Sequence, residues 1–182
     1  MVTASPGRGS ADSQVDVVAF LESGEIEHAP GARIFRNDVL RKRLAGLPPE
    51  TKLARSSYSE QAAVLVYDSS DTMAAVAISL GQSVIADGVF ARRDQRLKIE
   101  AVARKAGVGF DGLCLEAPDE TRVARVGSRG ADASDADTAV AQAQAALAVG
   151  NLGRWQRISA AGPRDEVAAE ARHALKLAIV GP

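Results

Sequence analysis

Acidic side chains at two places in this sequence are of a type and position that could take part in chemistry. Asp38 and Asp87 each follow a short apolar segment of the kind that forms a β-strand. A carboxylate there can orient a hydroxyl group or accept its proton, and a guanidinium such as that of Arg41 can hold an anionic group. Purely structural roles stay open too, because Asp38 could be a helix N-cap, Asp87 a plain strand-to-turn junction, and residues 41–43 a solvated helix face.

A second candidate for chemistry is residues 4–12, which could occupy the place of a phosphate-binding loop. Such a loop reads G-x-x-x-x-G-K-[ST]: its backbone N–H groups surround phosphates, its lysine reaches the β- and γ-phosphates, and its hydroxyl holds Mg²⁺. The corresponding positions here are Ala4, Gly9, Ser10 and Ala11, so only the second glycine is kept. Taken alone, this Pro-Gly-rich segment is more typical of a flexible lead-in. The candidate nucleotide-binding residues of the segment are Gly7, Arg8, Gly9 and Ser10.

Short apolar segments alternate with longer helical ones along the chain. The predicted strands are 32–36, 83–88, 110–116 and 155–159. Predicted helices begin at Asn37 and cover 60–80, 92–106, 118–126, 136–149 and 165–179, and residues 15–21 also have helical spacing. This alternation predicts an α/β fold with a parallel sheet covered on both faces. Ligands of such folds bind at the carboxyl ends of the strands, which is where Asp38 and Asp87 are expected.

Composition limits the classes of protein that fit. The 182 residues are enough for one domain, 1–182, and with aromatic residues at only 4% its core must be largely aliphatic. A net charge of −1 gives no general attraction to nucleic acid or to acidic membranes. The single cysteine excludes an internal disulfide, and no apolar run approaches the roughly 18 residues of a membrane helix. A cytoplasmic protein is therefore expected.

Several segments, in their order and spacing, resemble one family. They read APGA at 29–32, RNDVLRKRL at 36–44, YS at 58–59, VIADGVF at 84–90, LEAP at 115–118 and RVGSRGADASDAD at 125–137. The chain resembles the P-loop kinase-like ATPase domains of the AAA family that are often fused behind an aminoglycoside-phosphotransferase-like domain. It is more distantly similar to zeta-toxin and gluconate-kinase-like proteins.

The resemblance implies a three-layer P-loop nucleotide-kinase-like fold with a parallel sheet of about five strands. It implies ATP and Mg²⁺ as cofactors and phosphoryl transfer to a small hydroxylated substrate. Asp38 and Asp87 would then be catalytic, while Arg41 and Tyr58 would bind the acceptor. Arg125 and Arg129 would reach the phosphates from a small lid around residues 122–137.

The sequence departs from the family at the phosphate site. Ser10 and Ala11 replace the lysine and the hydroxyl residue, and Asp12 adds a negative charge beside them. Without this lysine, nucleotide binding loses a charge-assisted hydrogen bond that contributes roughly 1.5–3 kcal/mol of binding free energy. Since residues 1–3 alone precede the segment, the family's first strand is expected to be clipped or absent.

Three hypotheses about function follow from these departures. The first is a kinase impaired in nucleotide binding, and the second is a pseudoenzyme of the same fold that binds or regulates and needs no cofactor. The third is a structural chain that forms a homodimer through helix 136–149. An upstream fused domain is a further candidate partner.

Overall fold

The computed structural model describes residues 18–20, 32–118 and 151–175 of the chain. Its strands are β1 (Val18–Phe20), β2 (Arg33–Arg36), β3 (Val84–Asp87), β4 (Leu113–Glu116) and β5 (Gln156–Ser159). Its α-helices are α1 (Asn37–Leu44), α2 (Glu60–Ser79), α3 (Arg93–Ala106) and α4 (Arg164–Ala174), and a short 3₁₀ helix spans Arg55–Tyr58.

All strand pairs in the described residues are parallel, as the alternating pattern predicts. The order is β2–β3–β1 in one sheet and β4–β5 in a second, with β1 beside β4. The register sets Asp87 opposite both Arg36 of β2 and Phe20 of β1. The carboxyl ends of three strands therefore meet at one edge, and β3 lies between β1 and β2 in the sheet although it follows both in the sequence.

The prediction of a helix over residues 15–21 is wrong, because Val18–Phe20 forms β1. Valine and phenylalanine favour strands, and pairing with the fully buried β3 decides in favour of that conformation. The first strand in the described residues therefore follows segment 4–12, whereas a phosphate loop in that segment needs a strand ahead of it.

The boundaries of the other helices mostly follow their predicted signals. Ser59 caps α2 by accepting a hydrogen bond from the Ala62 N–H at 3.3 Å, and α3 ends at Gly107 in the left-handed conformation with φ 69°. In α1, however, Arg36 occupies the N-cap position and no side chain caps the helix. Asp38 lies in the first turn, so its interpretation as an N-cap is wrong.

The prediction of a solvated face over residues 41–43 is wrong for Lys42. Its side chain is buried, and its ammonium donates a hydrogen bond to the Pro49 carbonyl at 2.6 Å. The (CH₂)₄ stem of lysine packs against apolar neighbours while the charged end reaches a backbone oxygen. This contact fastens the turn after α1 to the helix.

The core is aliphatic, as expected, but aromatic rings lie at its centre. Phe90 contacts Tyr67 edge-to-face with ring centroids 5.1 Å apart, and its centroid lies 5.5 Å from that of Trp155. Trp155 in turn lies 5.8 Å from Phe110. The indole N–H of Trp155 donates to Glu100 at 2.8 Å. These rings join α2 and α3 to the segment that leads into β5.

Asp71 on α2 gives stability a dependence on pH. Burial raises the pKa of Asp71 to about 6; Lys98 opposes this rise in pKa, and Asp68 adds to it. In the unfolded chain its pKa is about 3.9, so the unfolded state loses this proton first and stability falls as the pH rises from about 4 to 6. We expect Asp71→Asn to raise the free energy of unfolding at pH 8 by about 1 kcal/mol, after allowance for solvent screening, and to have little effect at pH 4. Urea denaturation at both pH values measures this.

Asp68→Asn is the matched control for this prediction. Asp68 accepts a hydrogen bond from exposed Lys98 at 2.7 Å, and removal of this surface ion pair lowers stability slightly or leaves it unchanged. A stabilisation by Asp71→Asn of equal size at pH 4 and pH 8 would contradict the assigned titration.

Candidate functional site

Arg36 and Asp87 form an ion pair at the carboxyl ends of β2 and β3. The register sets them opposite each other, and Arg36 Nε lies 3.3 Å from Asp87 Oδ2. Burial raises the pKa of the Asp87 carboxyl, the guanidinium of Arg36 opposes this, and the charge of Asp38 adds to it. Arg36 therefore stabilises the carboxylate form of a residue that is only 6% exposed.

The first turn of α1 places Asn37 against the residue after Asp87. Asn37 is only 5% exposed. A Cβ at Gly88 would lie 2.3 Å from Asn37 Nδ2, so only glycine permits this approach. The amide is thus enclosed between the helix and the loop, with the Tyr67 hydroxyl as a side-chain hydrogen-bond partner.

Arg41, one helical turn after Asn37, is held by two neighbours. Its Nη1 donates to the Ser57 carbonyl at 3.1 Å, and its Cζ lies 4.8 Å from the centre of the exposed Tyr58 ring. These contacts fix the guanidinium plane through a hydrogen bond and a cation–π interaction. Its Nε is buried and makes no hydrogen bond.

The loop that follows Asp87 is held rigidly. Phe90 adopts φ 40°, a strained conformation for a residue with a side chain, and its N–H donates to the Tyr67 hydroxyl at 3.1 Å. Arg96 Nη1 donates to the carbonyls of Phe90 and Ala91, both at 2.8 Å. These bonds fix the backbone that carries Asp87 into the site.

The Tyr67 hydroxyl lies at the inner side of the site. Burial raises the pKa of Tyr67, and the Phe90 N–H opposes this rise. A side-chain hydrogen bond with Asn37 and the charge of Arg41 also oppose the rise in the pKa of Tyr67, and the charge of Asp38 adds to it. The Asn37 amide therefore has the Tyr67 hydroxyl as a hydrogen-bond partner at the inner side of the site.

Four of the predicted site residues lie around this edge of the sheet. Asp87 ends β3, Asp38 and Arg41 belong to α1, and Tyr58 stacks on Arg41. Their catalytic and binding roles stay predictions. The remaining predicted residues, with the lid 122–137 and helix 136–149, lie outside the described residues: Gly7, Arg8, Gly9, Ser10, Arg125 and Arg129.

Arg36, Asn37 and Gly88 were not predicted as site residues. Each is a sequence neighbour of a predicted one, so proximity to Asp38 and Asp87 was the available signal. Their contacts depend on the pairing of β2 with β3 and on the depth to which α1 packs. A sequence pattern alone contains neither.

Most of this chain matches a known protein family. A family model described as an AAA domain matches residues 24–149, well over half of the chain. The chain belongs to the AAA domain family. This match starts after segment 4–12 and includes every predicted site residue from Asp38 to Arg129. No curated protein sequence is significantly similar to this AAA domain.

Solved structures similar to this AAA domain have the P-loop kinase-like α/β fold. A gluconokinase from Sinorhizobium meliloti 1021 is 17% identical with a TM-score of 0.60, covering 87% of this chain and 90% of its own. The tunicamycin resistance protein of Deinococcus radiodurans is 13% identical with a TM-score of 0.55, and the match covers 91% of this chain and 97% of that protein. A sugar kinase from Janibacter sp. HTCC2649 is 18% identical with a TM-score of 0.57, and the match covers 81% of this chain and 82% of that kinase. At these identities the likeness shows the fold, which confirms the predicted fold class.

Two other kinds of feature are absent from the described ranges. Residues 18–20, 32–118 and 151–175 include no helix long and apolar enough to cross a membrane. The same ranges hold no group of three or more histidine, cysteine or acidic side chains that could bind a metal ion.

Proposed function

We propose that this AAA domain is a kinase-like phosphotransferase that acts on a small hydroxylated molecule. The observation that carries the proposal is the acceptor cluster, by which we mean Asn37, Asp38, Arg41 and Asp87. It combines carboxylates and a fixed guanidinium at the carboxyl ends of parallel strands, where α/β folds bind their ligands. The likeness in fold to a gluconokinase and to a sugar kinase agrees with a small acceptor of this class.

In the proposed reaction the acceptor hydroxyl oxygen forms a bond to the γ-phosphorus of ATP. The bond from that phosphorus to the bridging oxygen breaks, and ADP leaves. Half-buried Asp38 accepts the hydroxyl proton, and Arg41 holds an anionic or oxygen-rich part of the acceptor. Buried Asp87, paired with Arg36, contributes a fixed negative charge that orients the hydroxyl.

A second candidate function is a pseudoenzyme that binds such a molecule without phosphoryl transfer. The specific observation is how few residues separate β1 from β2 in the sequence, namely residues 21–32. A parallel crossover needs about a dozen residues by itself, so an eight-residue phosphate loop and a crossover helix together exceed this length. The segment reads LESGEIEHAPGA, with three glutamates and no lysine or arginine. These residues do not fit the triphosphate of a nucleotide.

Titration calorimetry with ATP and Mg²⁺, followed by measurement of ADP release with and without sugars and polyols, separates the two candidates. For the phosphotransferase we expect ATP binding at millimolar concentration or below, and ADP release that an acceptor accelerates. We expect Asp38→Asn to lower this turnover by about 10²–10⁴-fold with ATP binding unchanged, because it removes the proton acceptor.

Glu50→Gln serves as the control, since it makes the same carboxylate-to-amide change on an exposed residue of the turn after α1. Full turnover in Asp38→Asn would refute the assigned role of Asp38. Acceptor binding without any heat from ATP would refute the phosphotransferase and favour the pseudoenzyme.

A further inference from the structure

We infer that the outward face of α2 binds the same face of a second copy of this AAA domain, with the two helices antiparallel in a symmetric dimer. This face consists of Leu65, Ser69, Thr72, Val76 and Leu80, and we call it the apolar stripe. The inference does not depend on the proposed function, because none of these residues belongs to the acceptor cluster.

The first observation is that α2 carries apolar side chains on two opposite sides. The apolar stripe recurs every three or four residues and lies opposite the buried side of the helix. Leu65 is 63% exposed, Val76 54% and Leu80 71%, the three highest values among the large apolar residues that the structure describes. A helix that is apolar on both sides is typically covered on both, so the stripe calls for a partner. The buried side consists of Val66, Tyr67, Ser70, Ala74, Ala77 and Ile78.

The second observation is the lack of basic residues on α2, which distinguishes it from its neighbour α3. The helix contains no lysine or arginine, and its three acidic residues, Glu60, Asp68 and Asp71, lie off the apolar stripe. Exposed positions of α3, by contrast, include Arg104 and Lys105. Helices that lie on a membrane surface carry lysine and arginine on their polar side. The composition of α2 therefore favours a protein partner over a membrane.

The middle of the apolar stripe can lose its contact with water at little cost. Thr72 Oγ1 already donates a hydrogen bond to the Asp68 carbonyl at 2.8 Å, so burial leaves this donor paired. Ser69 and Thr72 are small, which lets a second helix approach to the short interaxial distances of about 8 Å seen in packed helices.

The spacing of the apolar stripe favours a second copy of the chain as the partner. Leu65 and Val76 lie at equal distances from the point midway between residues 70 and 71, and so do Ser69 and Thr72. If two such helices pack antiparallel about a twofold axis at this point, Leu65 of each copy contacts Val76 of the other. Ser69 then lies opposite Thr72. A twofold interface requires this kind of self-complementary surface.

The charges near the two ends of α2 are also complementary in an antiparallel pair. Glu60 begins the helix, where it contacts Arg92 at the surface. Directly after the other end, exposed Arg33 donates from Nε to Gln82 at 3.2 Å. Antiparallel packing brings Glu60 of one copy towards Arg33 of the other, whereas parallel packing would bring the two Glu60 carboxylates together.

The size of the apolar stripe sets the expected strength of the dimer. From Leu65 to Leu80 the helix rises about 22 Å, and it is about 10 Å wide. A standard stable interface buries about 800 Å² on each partner, which is more than one helix face of this size provides. We therefore expect a dimer with a dissociation constant of about 10–100 μM.

Sedimentation equilibrium of the full chain from about 1 to 500 μM tests the inference. We expect the wild type to pass from monomer to dimer over this range. Leu65→Lys and Val76→Glu should each weaken the dimer at least about tenfold, because each buries an unpaired charge at two symmetric places. An equal mixture of the two variants should regain association, since the introduced lysine of one copy then lies opposite the introduced glutamate of the other.

Leu97→Lys is the matched control. It makes the same change at a leucine of α3 that is 45% exposed and lies outside the apolar stripe, so association should stay as in the wild type. All three substitutions are at exposed positions, and we expect the thermal midpoint of each variant to stay within about 4 °C of the wild-type value.

A wild-type chain that remains monomeric up to about 500 μM overturns the inference, because the apolar stripe then has no partner in a second copy. Association that Leu65→Lys and Val76→Glu leave unchanged overturns it too, as does an equal loss in Leu97→Lys. If the mixture of the two variants associates no better than either variant alone, Leu65 does not face Val76 and the antiparallel dimer is refuted.

Discussion

Replacement of Arg96 by alanine is expected to lower the free energy of unfolding by about 3–5 kcal/mol. Arg96 is 3% exposed and donates to three backbone carbonyls: those of Phe90 and Ala91 at 2.8 Å, and that of Asn151 at 3.3 Å. Alanine leaves these carbonyls without their donor and opens a cavity beside the aromatic cluster. Each lost partner of a buried carbonyl costs about 1–3 kcal/mol.

Chemical denaturation of the wild type and the variant measures this loss. Arg104→Ala on the same helix is the control, because Arg104 is exposed and its replacement should change stability by no more than about 0.5 kcal/mol. Arg96→Lys keeps the charge but not the forked geometry of the guanidinium. Its loss of stability should therefore lie between those of Arg96→Ala and Arg104→Ala. A loss below about 1 kcal/mol for Arg96→Ala would show that Arg96 does not hold the loop after Asp87.

The second large effect concerns the ion pair of Arg36 and Asp87. Arg36→Ala is expected to destabilise the fold by about 2–3 kcal/mol at pH 8, less than for a fully buried pair because the Arg36 side chain is 32% exposed. Without the guanidinium the pKa of Asp87 rises further above its value in the unfolded chain. The folded variant then loses stability as the pH rises from the pKa of Asp87 in the unfolded chain to its raised pKa in the folded state. The effect of Arg36→Ala should therefore be smaller at pH 5 than at pH 8.

A double-mutant cycle with Asp87→Asn isolates the pair. We expect the double variant to be less destabilised than the sum of the single ones, with a coupling of about 1–2 kcal/mol at pH 8, since the introduced amide leaves no buried charge to be paired. Arg33→Ala is the control, because it lies on the same strand and its Nε donates to Gln82 at the exposed surface. Additive effects of Arg36→Ala and Asp87→Asn would refute the pair as a stabilising interaction.

The sequence by itself determined most of the elements and the fold class. Strand β3 is a continuous apolar run, α2 begins at a serine N-cap, and α3 ends at a glycine, and each of these signals acts over a few residues. Apolar segments that alternate with helical ones can bury their surfaces only in a layered α/β sheet. The same local reasoning placed Asp38 and Asp87 at strand ends, because only the order of the elements is needed for that.

Only the tertiary structure decided what surrounds these residues. Val18–Phe20 became a strand because buried β3 offered it a partner, which overrode its helical spacing. The register of β2 with β3 paired Arg36 with Asp87, and the approach of Gly88 enclosed Asn37. Such contacts join residues about fifty positions apart, and their energies depend on distance and burial rather than on residue type. The sequence therefore located the edge of the sheet at which we propose that a ligand binds, and the packing of α1 against the loop after β3 determined which side chains surround it.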